Sequence, residues 1–282
     1  MLSGGLWGKG VYKEGNAEIP LVTIVTVTYN AELHLLQALE SILNQTYRNI
    51  EVIVIDGGST DKTLEIIFEL EAKIDYWISE KDNGIYDAMN KGLKLARGKW
   101  IGFKNADDWY LPDAIEKLVN CGLIENAEIY YGNSYSILNE IPLEISPFFT
   151  DHKTLGGKPG IDHRSTFFLT EFHKNVPFNL SYKLAADFDV FCRMIKYGGR
   201  FLHLNSFISY KRFGGASDGV SILKETFLIN CHYFSVFKAF YSTIKSFLFF
   251  CFWKISNFIL LIFLGEKRYY IFKSRKIKRL PL

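Results

Sequence analysis

The repeated alternation of short apolar runs with helical patterns in the first 110 residues limits the possible folds of this chain more than any other feature. Residues 21–28 (LVTIVTVT) and 50–55 (IEVIVI) are rich in β-branched side chains and too short for ordinary helices. Each therefore predicts a strand buried on both faces. Between them, residues 32–44 place leucine and isoleucine at helical spacing. The three segments together predict a β-α-β unit.

The same alternation continues further along the chain. A helix is predicted from Thr60 or Asp61 to about residue 72, a short strand over 76–79, a helix over 85–96 and a strand over 100–103. Strands that alternate with helices in this way predict an α/β fold, with a mostly parallel sheet and helices on both faces. Ligands of such sheets collect at the carboxyl ends of the strands.

Polar residues follow three of these strands directly. They are Tyr29 and Asn30 after the first strand, Asp56 after the second, and Asn105, Asp107 and Asp108 after the strand that begins at Trp100. Each residue alone could be an ordinary turn or cap residue. Three strands that deliver polar groups to one edge of a sheet, however, define one pocket.

Four stretches in a fixed order carry the most specific signal. They read VTIVTVTYN at 22–30, SILNQTYRNIEVIVIDGGSTDKT at 41–63, SEKDNGIYDAMNKGLKLARGKWIGFKNADDWY at 79–110, and IDHRSTFF with AADFDVFCR within 161–193. Together they resemble the inverting family-2 nucleotide-sugar glycosyltransferases, which have a GT-A fold. The resemblance covers about residues 20–220, and it implies a Rossmann-like, mostly parallel sheet that binds a nucleotide-diphosphate sugar.

The resemblance also implies which residues bind the donor. That set is Thr28, Tyr29, Asn30, Glu32, Asp56, Asp82, Asn105, Asp107 and Asp108. Within it, Tyr29 and Asn30 would border the base and ribose, and Asp56 would accept a hydrogen bond from the base. Asp82 would complete the nucleotide pocket, with a simple Asx turn before Gly84 as the alternative.

The run from Asn105 to Asp108 occupies the position of the family's Asp-x-Asp motif, with asparagine in place of the first acid. By resemblance, Asp107 is the metal-ligating acid, and Asp108 would support it or contact the sugar. A hard cation prefers carboxylate, phosphate and water oxygens, so one protein carboxylate plus the donor diphosphate can suffice. The expected cofactor is therefore Mg²⁺ or Mn²⁺.

An inverting transfer needs one base that takes the proton of the acceptor hydroxyl. The resemblance assigns this role to Asp187, which precedes an aromatic residue and a helical pattern that runs to Arg193. Asp189 is the rival, and residues two apart do not share a helix face, so only one of them can point at the acceptor. His163 is expected on the acceptor and sugar side, and Asp189 either there or in a structural role.

The C-terminal part of the chain has a different character. Residues 223–265 are rich in phenylalanine and crossed by polar residues at three- and four-residue spacing, which predicts an amphipathic helix in a membrane interface. A membrane span over 246–264 is an alternative, because its central Lys254 would cost only about 2.5–3.5 kcal/mol. A third alternative is that the helices of this segment only pack on the catalytic domain. Residues 266–282 hold seven basic residues against one acid, a tail that attracts anionic lipid.

These patterns divide the chain into an N-terminal extension (1–19), a catalytic domain (20–222), a membrane-associated segment (223–265) and a polybasic tail (266–282). The loop over 213–217 is similar to the family's flexible loop over the diphosphate.

The four cysteines show no paired spacing, and the first 18 residues contain no apolar signal core. We therefore expect the protein at the cytoplasmic face of the inner membrane, with peripheral or single-span attachment. A basic tail on an acidic body does not indicate nucleic-acid binding.

The expected function is an inverting, metal-dependent glycosyltransferase with a nucleotide-diphosphate donor, UDP foremost, and a lipid-linked saccharide acceptor in polysaccharide or cell-envelope assembly. A soluble or protein acceptor is one alternative. A non-catalytic nucleotide-sugar-binding subunit is another, which the presence of both Asp107 and Asp187 disfavours. Dinucleotide binding is disfavoured as well, because residues 56–61 (DGGSTD) lack the G-x-G-x-x-G turn.

Overall fold

The computed structural model describes residues 1–138, 141–145, 161–212, 221–237, 239–248 and 251 of the chain. Its strands are β1 (Leu2–Gly4), β2 (Val22–Thr28), β3 (Ile50–Asp56), β4 (Tyr76–Ser79), β5 (Trp100–Asn105), β6 (Trp109–Tyr110), β7 (Ile129–Leu138), β8 (Ile141–Ile145), β9 (Thr166–Leu169) and β10 (Phe201–Arg212). Its helices are α1 (Leu35–Leu43), α2 (Thr63–Glu69), α3 (Ile85–Leu95), α4 (Ala114–Ile124), α5 (Thr170–Lys174), α6 (Ala186–Lys196) and α7 (Ile222–Tyr233), with short 3-10 helices at Leu6–Lys9, Glu71–Lys73 and His163–Ser165.

Within this described part of the chain, ten strands form one sheet. Their order is β1-β4-β3-β2-β5-β9-β7-β10-β6, with β8 paired to β7. The four strands β4, β3, β2 and β5 are mutually parallel, as are β7 and β10, whereas β9 runs antiparallel between the two groups. The predicted fold class, α/β with a mostly parallel sheet, is confirmed.

Successive residues of a strand point to opposite sides of the sheet, so the buried strands present apolar side chains on both faces. Helices cover both of these faces. On one face, α3 and α6 pack over side chains such as Val25 and Ile53. On the other face, α1 and α4 pack over Ile24 and Val52. Every residue of β2 and β3 is buried, and burial of one large aliphatic side chain stabilises the fold by about 1.5–3 kcal/mol.

The N-terminal extension is part of this sheet. Strand β1 pairs in antiparallel fashion with the edge strand β4, Trp7 stacks on Tyr76 with ring centroids 5.0 Å apart, and Lys13 forms a 2.7 Å ion pair with Asp75. None of these contacts was predicted from the sequence, because β1 has three residues and no alternating pattern.

At the C-terminal side, α7 packs against α6 and is followed by helical residues at 236–237 and 239–248. Phe237 is 90% exposed, Tyr241 70% and Phe240 61%. No helix among the described residues combines the length and apolarity needed to cross a membrane. The polybasic tail, the loop at 213–217 and most of the alternative span at 246–264 lie outside the described residues.

His173 in α5 gives the fold a predicted pH dependence. Its ring is fully buried and lies 4.5 Å from the Phe168 ring and 5.0 Å from the Phe178 ring, centroid to centroid. Burial lowers the pKa of His173 from 6.5 to about 4. Between pH 6.5 and 4, His173 is therefore protonated in the unfolded state and neutral in the folded state. Protonation of the unfolded state lowers the free energy of unfolding, so the stability that is present above pH 6.5 is lost as the pH falls towards 4.

We expect the free energy of unfolding in urea to fall by about 2 kcal/mol more in the wild type than in His173→Gln when the pH is lowered from 7 to 4.5. The partly exposed His34, replaced by His34→Gln, is the matched control and should leave the wild-type pH dependence unchanged. Equal pH dependence in the wild type and in His173→Gln would contradict the prediction.

Candidate active site

The three predicted strand ends meet at one edge of the sheet. Strand β2 is hydrogen-bonded in parallel to β3 on one side and to β5 on the other, and the register sets Thr28 beside Asp56 and Val27 beside Asn105. The Thr28 side-chain oxygen is buried without a hydrogen-bond partner among the described residues. The predicted cluster of polar strand ends is thus present in the structure.

The loops after β2 and β3 are tied together by side-chain to backbone hydrogen bonds. The Asn30 side-chain oxygen accepts from the Thr60 amide at 2.8 Å, and the Asn30 amide donates to Ser59 Oγ at 2.8 Å. Glu32 Oε2 accepts from the Lys62 amide at 3.1 Å. Asn30 has a φ of 48°, a left-handed conformation that asparagine tolerates better than most residues. Asn30 and Glu32 therefore set the shape of the loop pair.

Asp56 is fully buried at the end of β3. Its carboxylate accepts hydrogen bonds from the Gly58 amide at 3.1 Å, the Ser59 amide at 3.0 Å, the Ser59 hydroxyl, and the Ser79 hydroxyl at 2.6 Å. These four donors hold the turn that follows β3. The expected hydrogen bond from Asp56 to a base stays a prediction.

Tyr29, Gly57 and Asp82 form one wall of the cleft above the strand ends. A Cβ atom added to Gly57 would lie 2.5 Å from Asp82 Oδ2, so the observed position of this carboxylate requires glycine at residue 57. The Tyr29 ring lies at an ordinary contact distance of 3.4 Å from the same point. Asp82 Oδ1 also accepts from the Gly84 amide at 2.8 Å, which is the Asx turn named as the alternative. Asp82 thus makes this turn while lining the cleft beside the 63% exposed Tyr29.

The run from the end of β5 to Asp108 has side-chain oxygens that accept no hydrogen bond from the described residues. Asn105 Oδ1 and Asp108 Oδ2 are buried and accept no hydrogen bond from the described part of the chain. Asp107 is half-buried and, within the same described residues, makes no hydrogen bond or ion pair. Burial raises the pKa of Asp108 to about 6, and the Arg164 guanidinium, 3.7 Å from Oδ2, opposes the rise. Oxygen atoms of this kind are suited to a hard cation.

No group of three or more histidine, cysteine, aspartate or glutamate side chains in the described residues could hold a metal ion by itself. The residues that fit a cation are Asp107, Asp108 and Asn105, whose oxygens would complete a coordination sphere only with oxygens from a ligand.

A fully buried lysine, Lys104, lies directly beneath this run. Its ammonium donates to the Arg164 carbonyl at 2.7 Å and to the Ser209 hydroxyl, and it lies 3.8 Å from the centroid of the Tyr110 ring. Burial lowers the pKa of Lys104 to about 7, although Asp108 and Asp162 raise it. Sequence reasoning missed this residue, and the available signal was a charged residue inside an otherwise apolar strand (WIGFKN).

Arg164 is held in turn by Asp162. The guanidinium donates to Asp162 Oδ1 at 2.8 Å and to Oδ2 at 3.1 Å, and Lys211 Nζ lies 3.1 Å from the same Oδ2. Burial opposes ionisation of Asp162, but the two cations hold its pKa well below the usual range. The lysine and arginine side chains around β5 are therefore balanced by buried carboxylates.

Asp187 lies in the first turn of α6, with its side chain 18% exposed. His163 Nδ1 lies 3.0 Å from Asp187 Oδ2, and the Tyr86 hydroxyl donates to Oδ1 at 3.2 Å. The Phe188 amide donates to the same Oδ1 at 2.9 Å. Three elements thus orient one carboxylate, which can accept a proton from a hydroxyl in the cleft. Tyr86, whose pKa is raised by burial and by the Asp187 charge, was not singled out from the sequence.

The 3-10 helix His163–Ser165 contacts both acidic parts of the site. His163 contacts Asp187, and its neighbour Arg164 lies 3.7 Å from Asp108. One short helix therefore contacts both the acid on α6 and the acidic run after β5. His163 Nε2 is buried without a hydrogen-bond partner in the part of the chain that the structure describes.

Asp189, the rival base, has a different environment. Its side chain is 3% exposed, Oδ2 pairs with Arg193 Nε at 2.8 Å, and Oδ1 accepts from the Tyr233 hydroxyl of α7 at 2.9 Å. The Arg193 pair lies within α6, and the Tyr233 hydrogen bond joins α6 to α7. Of the two acids, Asp187 is the one in contact with His163 and Tyr86, and a sugar-side role for Asp189 stays a prediction.

Comparison with known proteins gives a consistent result. Residues 23–167 match the model of glycosyl transferase family 2. The chain is 32% identical over 218 residues to the PGL/p-HBAD biosynthesis glycosyltransferase of Mycobacterium tuberculosis. The aligned region covers 74% of this chain and 83% of that protein. It is also 39% identical over 118 residues to an uncharacterized glycosyltransferase of Haemophilus influenzae. That aligned region covers 41% of this chain and 47% of that protein.

Two solved structures have a similar fold. S. aureus TarS 1-349 in complex with UDP-GlcNAc superimposes with a TM-score of 0.61 at 16% identity, over 74% of this chain and 66% of TarS. The mannosyltransferase PcManGT from Pyrobaculum calidifontis, in complex with GDP-Man and Mn²⁺, superimposes with a TM-score of 0.56 at 15% identity, over 95% of this chain and 88% of that protein.

Proposed function

The chain belongs to glycosyltransferase family 2, and we propose that it transfers a sugar with inversion from a nucleotide-diphosphate donor, with UDP as the nucleotide, to a lipid-linked saccharide in polysaccharide or cell-envelope assembly. One observation carries the catalytic part of this proposal. A partly exposed carboxylate, Asp187, is oriented by His163 and Tyr86, and the 3-10 helix that carries His163 also contacts the acidic run after β5 through Arg164.

The cleft wall of Tyr29, Gly57 and Asp82 is the proposed binding surface for the nucleotide. The exposed Tyr29 ring can pack on a base, and Asp82 can accept hydrogen bonds from a base or ribose. TarS was solved with UDP and with UDP-GlcNAc, which supports the choice of UDP. Asn30 and Glu32 would border the ribose from the loop pair that they hold in shape.

Asp107 is the proposed ligand of Mg²⁺ or Mn²⁺, with Asp108 and Asn105 beside it. Neutralisation of the leaving diphosphate is the chemistry that such a cation supplies when bound. The half-buried Asp107, which makes no ion pair among the described residues, fits this role, and the Mn²⁺ held by PcManGT supports it. Lys104 and Arg164 add positive charge below the same run.

Asp187 is the proposed general base. Its carboxylate takes the proton of the acceptor hydroxyl while the hydroxyl oxygen attacks the anomeric carbon on the side opposite the diphosphate, which inverts the configuration. The hydrogen bonds from Tyr86 and His163 hold the carboxylate in one orientation before the acceptor arrives. This preorganisation is what makes a positioned base effective.

The lipid-linked acceptor is proposed from the C-terminal helical residues. Phe237, Phe240 and Tyr241 are 90%, 61% and 70% exposed, which is unusual for large apolar side chains unless they meet a partner or a membrane. A helix with such a face binds in the plane of the interface, and the basic tail adds attraction to anionic lipid. The PGL/p-HBAD relative supports a cell-envelope product. We therefore propose peripheral attachment at the cytoplasmic face of the inner membrane.

A donor screen tests the proposed activity. Release of nucleoside diphosphate is measured from UDP- and GDP-linked sugars, with and without Mn²⁺. Asp107→Ala should lower the metal-stimulated rate on the order of a hundredfold, because charge stabilisation of the leaving group is lost. Asp113, whose side chain is 44% exposed and pairs with Lys117, is the matched control as Asp113→Ala and should retain the wild-type rate. Near-full activity of Asp107→Ala would remove Asp107 from the site.

Replacement of the two acids on α6 tests the base. Asp187→Asn should lower turnover on the order of a hundredfold or more and leave the dissociation constant of UDP unchanged, because a base acts in the transition state. Asp189→Asn should lower the melting temperature, because Arg193 loses its buried counter-ion, yet retain most of the turnover. An inactive Asp189→Asn with an active Asp187→Asn would reverse the assignment.

Flotation with vesicles tests the membrane contact. Full-length protein should float with vesicles rich in anionic phosphatidylglycerol, and Phe237→Glu with Phe240→Glu should reduce the bound fraction on the order of tenfold, because two apolar contacts are lost. Ile124→Glu, at an 85% exposed position on α4, is the matched control. Release of bound protein by alkaline carbonate is expected for an interfacial helix, whereas resistance would favour the span at 246–264. Full-length protein that stays in solution would contradict the membrane proposal.

A further inference from the structure

Glu225, in the first turn of α7, accepts three hydrogen bonds from consecutive backbone amides in the loop before α6. The amides of Lys183, Leu184 and Ala185 lie 2.9, 2.8 and 2.9 Å from its carboxylate oxygens. Amides at the start of a helix lack acceptors within that helix, and negative charge there is favourable. At Ala185, the N-cap of α6, the acceptor comes from Glu225, 40 positions further along the chain, so the start of α6 is anchored to α7.

A second contact ties the two helices at the other end of α7. The Tyr233 hydroxyl donates to Asp189 Oδ1 at 2.9 Å, and Ile229 is fully buried between these two anchor points. The residues that α7 holds by hydrogen bonds, Ala185 and Asp189, lie two positions before and two positions after Asp187. Helix α7 therefore contacts α6 on both sides of the proposed base, through the backbone amide of Ala185 and through the side chain of Asp189.

We propose that Glu225 is a positioning residue for Asp187, an inference that rests on the proposed function of that acid. By fixing the backbone at 183–185, Glu225 sets where the first turn of α6 begins, and this decides whether Asp187 reaches His163 and Tyr86. The Phe188 amide, which donates to Asp187 Oδ1 at 2.9 Å, depends on the same turn and reports on it. Misplacement of a catalytic group by a fraction of an ångström is enough to lower turnover.

The experiment compares full-length wild type with Glu225→Gln. Glutamine keeps the shape but is neutral and replaces one acceptor oxygen by an NH2 donor, so at least one of the three backbone amides loses its acceptor. We therefore expect kcat for donor turnover to fall about tenfold or more. The donor KM and the dissociation constant of UDP should stay within about twofold of wild type, because Glu225 does not touch the nucleotide wall. Glu171→Gln is the matched control, since Glu171 is a 79% exposed helical glutamate paired with Lys174 at 3.0 Å.

Amide hydrogen exchange supplies a readout that does not need activity. Exchange at Leu184, Ala185 and Phe188 should accelerate in Glu225→Gln, while exchange in β2 and β3 stays at the wild-type rate. Tyr233→Phe, which removes a single hydroxyl, is the milder second variant and should accelerate exchange at Phe188 to a smaller extent.

Unchanged kcat, or unchanged exchange at Phe188, would overturn the proposal. Loss of UDP binding together with turnover would also overturn it, because Glu225 would then maintain the fold and not the position of the base. The two proposals can fail separately. If the wild type is inactive on every donor, the proposed function is contradicted. If exchange at Phe188 is still accelerated in Glu225→Gln, the role of Glu225 in positioning Asp187 stands.

Discussion

The parallel pairing of β2 with β3 and β5 is the constraint on which the rest of the structure depends. Every residue of β2 is buried, so its hydrogen bonds must be made to neighbouring strands on both sides. In-register parallel pairing places all three carboxyl ends at one edge of the sheet. The nucleotide wall, the oxygens after β5 and the loop pair held by Asn30 are consequences of this pairing.

A second requirement is charge balance under the site. Lys104 is fully buried, and buried charges cost free energy unless they are paired and hydrogen-bonded. Its donors reach the Arg164 carbonyl and Ser209, and Asp108 and Asp162 supply the opposing charge. Buried ion pairs contribute little net stability, so the value of this network lies in holding the Asp108 loop and the His163 turn in fixed relation.

Patterns that depend on local sequence were readable before the structure. The helix predicted over 85–96 is observed at Ile85–Leu95, and the strand predicted over 76–79 at Tyr76–Ser79, because hydrophobic periodicity reports burial directly. The strands β6 to β10 were not predicted, because their pairing joins residues far apart in the chain and their patterns are irregular. The convergence of strand-end side chains followed from topology alone.

By itself, the sequence determined the α/β class, the three polar strand ends and the pair of acids on α6, since each follows from periodicity or from a local motif. Only the tertiary structure decided which acid meets His163 and Tyr86, that Asp189 instead joins α6 to α7, and that Glu225 supports the loop before Asp187. The physical reason is that these are hydrogen bonds between groups 24 to 101 residues apart in the chain, and no local preference encodes them.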